Sequence, residues 1–179
     1  MGPIELFWAV IVTFFVIFGV IRGYGKELGV TLVILVALFV LTQFGDRAVE
    51  VVTPGVTNAL GLETTPQDMN LLNLAILQLV FVGIVFAAYQ GETLSFQGTP
   101  RPGAEGFLLS AAVGLINGYM VAGTLWYYLD VYHYPLAGLI QLPLSPLAQS
   151  LLPYLPPRVL GAEVLTGLIA LLVLLRVRR

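Results

Sequence analysis

The chain reads as an all-α protein: a polytopic transmembrane helical bundle of five spans, a four-span core plus one C-terminal span, with short interfacial or re-entrant helices between them. Three observations predict this. Of 179 residues, 58% are hydrophobic and only 10% are charged. A soluble domain carries about 25% charged residues, so this chain lacks the polar surface to cover itself in water. The apolar residues also gather into separate runs, each near the roughly 20 residues that cross about 30 Å of hydrocarbon. Finally, the few cations fall mostly to one side of those runs, as the positive-inside rule requires. One membrane domain, 1–179, accounts for the whole length.

The first span is 4–21, which contains one charge, Glu5. It resembles a signal peptide only in position. A signal peptide has a basic start and a small-residue cleavage site, whereas here Met1-Gly2-Pro3-Ile4-Glu5 has no cation and Arg22 follows the run. A retained span is expected. The second span, 26–44, begins almost at once. Arg22, Gly23, Tyr24, Gly25, Lys26 and Glu27 form a short charged knot, so the two runs must make a tight helical hairpin. Glu27 suits the positive end of the second helix and can pair with a basic neighbour. Arg22 and Lys26 can meet anionic headgroups.

An amphipathic stretch, 46–52, follows and is expected to stop at Pro54, because proline inside a helix removes a hydrogen bond and crowds the preceding turn. The third span, 71–89, carries Asn73 and Gln78. The fourth, 105–129, repeats a small residue every fourth position: Gly106, Ser110, Gly114, Gly118 and Ala122. That row makes a groove into which another backbone can settle, which is how helices associate in lipid. The partner could be internal or a second copy. Asn117 sits near the middle of this span and needs a hydrogen-bond partner there. Gln78 is its expected partner.

The connection 131–157 is both proline-rich and apolar. Ser145 can cap a short helix that has Pro146 in its first turn and runs to about Leu152. The aromatics Trp126, Tyr127, Tyr128, Tyr132 and Tyr134 just before it fit an interfacial belt. The fifth span is 159–175, with Glu163 near its start. Five spans place Arg22, Lys26, Arg101, Arg176, Arg178 and Arg179 on one face, and only Arg47 and Arg158 on the other. The expected orientation is N-terminus outside and C-terminus cytoplasmic.

The residue inventory points away from chemistry. Cysteine is absent and histidine occurs once, so bis-histidine haem ligation is excluded within this chain. Motifs for zinc proteases, phosphate loops and serine hydrolases are missing. No basic stripe suits nucleic acid. The expectation is a non-enzyme without cofactor or metal, whose partners are membrane lipids and other membrane proteins or further copies of itself.

Residues 6–39 resemble the start of the colicin V production protein (CvpA) family. The features that carry this are Glu5 opening the first span, Gly19, the Arg22-Gly23-Tyr24 knot, and Lys26-Glu27-Leu28 opening the second. Gly106 and Gly114-Leu115-Ile116-Asn117-Gly118 add a second match, and the Ser-Pro-Leu segment before Leu151-Leu152-Pro153 a third. The likeness covers roughly 4–153. The family pattern has Asp where this chain has Glu5, often a cation where it has Asn117, and a more basic loop where it keeps Arg101. The fifth span exceeds the family's four-span core. The resemblance implies a bacterial inner-membrane protein linked to export and envelope physiology, and supplies no catalytic residues. Three functions fit: an accessory or scaffold protein acting by helix packing, a transport or export component for a small solute, peptide or lipid, and a structural subunit of a respiratory or photosynthetic complex.

Overall fold

The computed structural model describes residues 2–61, 65–90, 96, 103–136 and 138–177. Arg101, Arg178 and Arg179, which enter the charge asymmetry, lie outside the described residues. The helices are α1 (Ile4–Arg22), α2 (Tyr24–Leu60), α3 (Pro66–Gln90), α4 (Ala104–Val131), α5 (Pro146–Leu151), α6 (Pro156–Val159) and α7 (Ala162–Val177). A 3-10 turn, Leu152–Tyr154, separates α5 from α6. No strand forms among the described residues, and one isolated parallel bridge joins Gly2 to Ile140.

Helices α1 to α4 are long and apolar enough to cross a membrane. Helix α7 is the right composition but only 16 residues long. At 1.5 Å per residue it measures about 24 Å, short of the ~30 Å core.

Helix α2 is the hub, packing on α3, α4 and α7. Its buried Val30, Ile34, Leu38 and Leu41 recur at helical spacing and meet Leu74, Leu77, Phe81 and Val85, an equivalent stripe on α3. Met120 and Val121 of α4 and Leu165 of α7 complete this core.

Two expectations about α2 need correction. The hairpin turn is shorter than the charged knot: Gly23 alone separates α1 from α2. Its φ of +84° lies where a side chain is disfavoured, which is why glycine stands there. At its other end α2 does not stop at Pro54 but continues through it to Leu60. Packing outweighs the local cost. Val49 and Thr53 are buried, and the Thr53 hydroxyl donates to Asn73 Oδ1 on α3 at 2.6 Å. The overhang is thus held along the start of α3.

Three members of the small-residue row on α4, Ser110, Gly114 and Gly118, form an internal seam with α1. Helix α1 lies against it so closely that a Cβ on Gly114 would fall 2.6 Å from the Phe15 carbonyl oxygen, and one on Gly118 would fall 2.9 Å from Val12 Cα. Gly19 answers from α1, where a Cβ would lie 2.6 Å from the Ser110 carbonyl oxygen. Gly106, Ser110 and Ala122 are buried along the same helix.

The segment after α4 folds back over the end of the bundle away from the hairpin. His133 (φ +57°) and Tyr134 (φ +51°) take left-handed conformations that reverse the chain. Tyr134 is held there by its hydroxyl, which accepts from Trp126 Nε1 at 3.2 Å and donates to Asp130 Oδ1 at 2.9 Å. Burial pushes the Tyr134 phenol above its usual range. Ser145 caps α5 as expected, accepting from the Ala148 amide at 3.0 Å, and also donates to Glu5 Oε1 of α1 at 2.6 Å. The Tyr119 hydroxyl, three turns back from the end of α4, donates to the Tyr154 carbonyl. Pro156 lies directly on Gly123. The 3-10 turn and α6 therefore run beside α4 instead of lying flat across its tip.

Candidate functional site

The residues with most chemistry meet at the hairpin end of the bundle. Glu27, in the first turn of α2, is completely buried. Its Oε2 accepts from Asn117 Nδ2 and from the Tyr89 hydroxyl, both at 2.9 Å. Its Oε1 faces Arg22 Nη1 at 3.5 Å, an ion pair across the Gly23 turn. Neither of those two atoms has a hydrogen-bond partner among the described residues. One carboxylate thus joins α1, α2, α3 and α4.

Asn117 uses its whole amide here. Its second N–H reaches the Glu27 carbonyl at 3.2 Å, and its Oδ1 accepts from the Thr31 hydroxyl at 2.7 Å. Thr31 follows Glu27 by one helical turn and so shares its face. The arrangement corrects the expected pairing with Gln78. Gln78 Nε2 instead donates to the Leu125 carbonyl at 3.1 Å, two turns further along α4. Tight backbone contact between α1 and α4 at Gly114 and Gly118 brings the Asn117 face onto the start of α2, and Gln78 is left near the far end.

Arg22 is the outer member of the knot. Its guanidinium lies 4.6 Å from the centroid of the Tyr89 ring, within cation–π range, and 18% of its side chain is exposed. Lys26 is exposed beside it in sequence. Gly25 receives a piece of the loop before α4: the Phe96 amide donates to its carbonyl at 3.0 Å, and a Cβ there would lie 2.7 Å from the Phe96 carbonyl oxygen. The knot is therefore covered as well as cross-linked.

Beside the knot opens an apolar cleft of about 460 Å³. Ile11, Phe14 and Phe18 form one wall, Val82 and Phe86 the other, with Val121 and Leu125 of α4 as floor. Phe15 and Phe18 set their edges against Tyr89 at 5.6 and 6.1 Å. Tyr89 thus belongs to both features: its ring closes the cleft and its hydroxyl enters the knot.

Two members escaped the sequence reading. Thr31 was detectable, since a hydroxyl one turn after a buried acid is a natural satellite. Tyr89 marked only the end of a span, and nothing local distinguishes it. Among the described residues no group of three or more His, Cys, Asp or Glu side chains is gathered. Comparison with family models, with curated proteins and with solved structures finds no match.

Proposed function

We propose that this chain is a small integral membrane accessory protein of the colicin V production type, acting by helix packing with other membrane proteins. The observation that carries this reading is the complete internal use of Asn117. Both of its N–H groups and its oxygen are taken by Glu27 and Thr31, and Gln78 is likewise bonded within the bundle. The polar residues that could have lined a solute path instead fasten helices together. The family likeness is supported by where its residues lie, with Arg22, Gly23 and Glu27 building the knot and Gly114 and Gly118 the α1–α4 seam.

The same reading takes α7 as a fifth span in the bacterial inner membrane, with the N-terminus outside and the C-terminus cytoplasmic. Its support is the charge asymmetry and the packing of α7 along α2. Because the chain has no cysteine, single-cysteine variants report topology cleanly. Cysteine at position 26 and at position 177 should both be labelled from the cytoplasmic side. Labelling on opposite sides would remove the fifth span.

Native purification from the source membrane tests the role itself. Reproducible co-purification of membrane proteins is expected. A monodisperse, partnerless monomer whose deletion leaves membrane complexes unchanged would sink the proposal. An export role keeps one observation in its favour, the open cleft beside the knot.

A further inference from the structure

We infer that the cleft between α1 and α3 holds an acyl chain of an anionic phospholipid from the leaflet at the hairpin end. Its volume, about 460 Å³, lies within the roughly 300–1,000 Å³ typical of small-molecule pockets. Its lining is almost entirely hydrocarbon and phenyl ring, with Gln90 at one end. An open apolar cleft in a membrane is filled either by a lipid tail or by another helix, and its length and charged end match the tail. On α1 the lining runs from Ile11 to Phe18, and on α3 from Val82 to Gln90. At 1.5 Å per residue these are about 10 and 12 Å. That lies within the ~15 Å depth of one leaflet, which a single acyl chain fills.

The cleft also has a charged end. Phe14, Phe18 and Arg22 follow one another at four-residue spacing on α1, so they share a face. Arg22 stacks on Tyr89, the last aromatic of the cleft wall. Its charge is balanced by Glu27, which leaves Lys26, exposed on the first turn of α2, as the uncompensated cation among these three. A tail lying between Phe14, Phe18 and Phe86 would bring its phosphate to this end. Attraction to a basic residue at the surface is worth about fivefold in affinity.

Native mass spectrometry of the full chain, released from vesicles of phosphatidylglycerol or phosphatidylcholine with identical tails, tests this. One retained lipid per chain is expected, with phosphatidylglycerol favoured about fivefold. Val82→Trp fills the cleft from its lipid-facing wall and should cut retention about tenfold, a loss that two methylene contacts already account for. Leu79→Trp places the same ring one turn away, outside the cleft, and should retain lipid as the parent does. Lys26→Gln should keep the lipid and lose the headgroup preference. Circular dichroism and monodisperse elution check that each variant is folded. Equal retention in Val82→Trp and the parent protein overturns the inference. So does equal retention of the two lipids by the parent, or a cross-link from the cleft that captures a protein helix or a second copy in place of lipid.

Discussion

The two ends of the bundle solve the same problem differently. At the hairpin end, α1 and α2 are joined by Gly23 alone, so that connection offers almost no backbone to bond these two helix ends together. Side chains from all four long helices do it, converging on Glu27. At the other end a long connection follows α4, and its own backbone supplies much of the bonding: the Gly2 amide to the Leu139 carbonyl, the Gln141 amide to the Gly2 carbonyl, and Tyr154 to Tyr119. A short turn concentrates cohesion in one buried charge. A long cover spreads it over many small contacts.

That contrast predicts unequal sensitivity, readable as unfolding free energy in detergent. Glu27→Ala should be the most damaging change, at about 3–5 kcal/mol, because it strands the Arg22 guanidinium in a largely buried position. The double change Arg22→Met with Glu27→Leu should recover only part of that loss, since neither charge is left unpaired but the Asn117 amide and the Tyr89 hydroxyl still lose their acceptor. Failure to recover would show that the charges do more than balance each other. Asn117→Leu should cost less, about 1–3 kcal/mol, because Thr31 and one carboxylate oxygen lose partners while the ion pair survives.

At the covered end the effects should shrink. Ser145→Ala removes the α5 cap and the contact to Glu5, for about 1 kcal/mol. Arg158 donates to Asp130 Oδ2 at 2.5 Å, but both side chains are partly exposed. Arg158→Ala should therefore change stability by about 1 kcal/mol or less, and less still in high salt. A covered-end variant matching the loss from Glu27→Ala would erase the contrast.

The Asn117 partner shows why part of the site was hidden. Depth along separate spans suggested Gln78, but two helices that touch backbone to backbone at Gly114 and Gly118 fix a rotation and a register that counting residues does not reveal. The same holds for Pro54, where the local rule against interior proline was outweighed by Thr53 bonding to Asn73 on another helix. Tyr89 had no local signature because its role depends on Glu27, which lies 62 residues away.

What the sequence determined alone rests on periodicity and solvent. Apolar runs too long and too uncharged for water gave the helices and their membrane character, and glycine between two such runs gave the hairpin. Ser145 before Pro146 was enough to start α5, because a cap is a local hydrogen bond. Tertiary structure decided everything that depends on which faces meet. It turned the small-residue row inward onto α1, carried α2 past its proline, and buried a carboxylate where four helices converge. Close backbone approach sets helix rotation, and rotation selects which polar groups share one low-dielectric space. Residues far apart in the chain thereby become each other's partners.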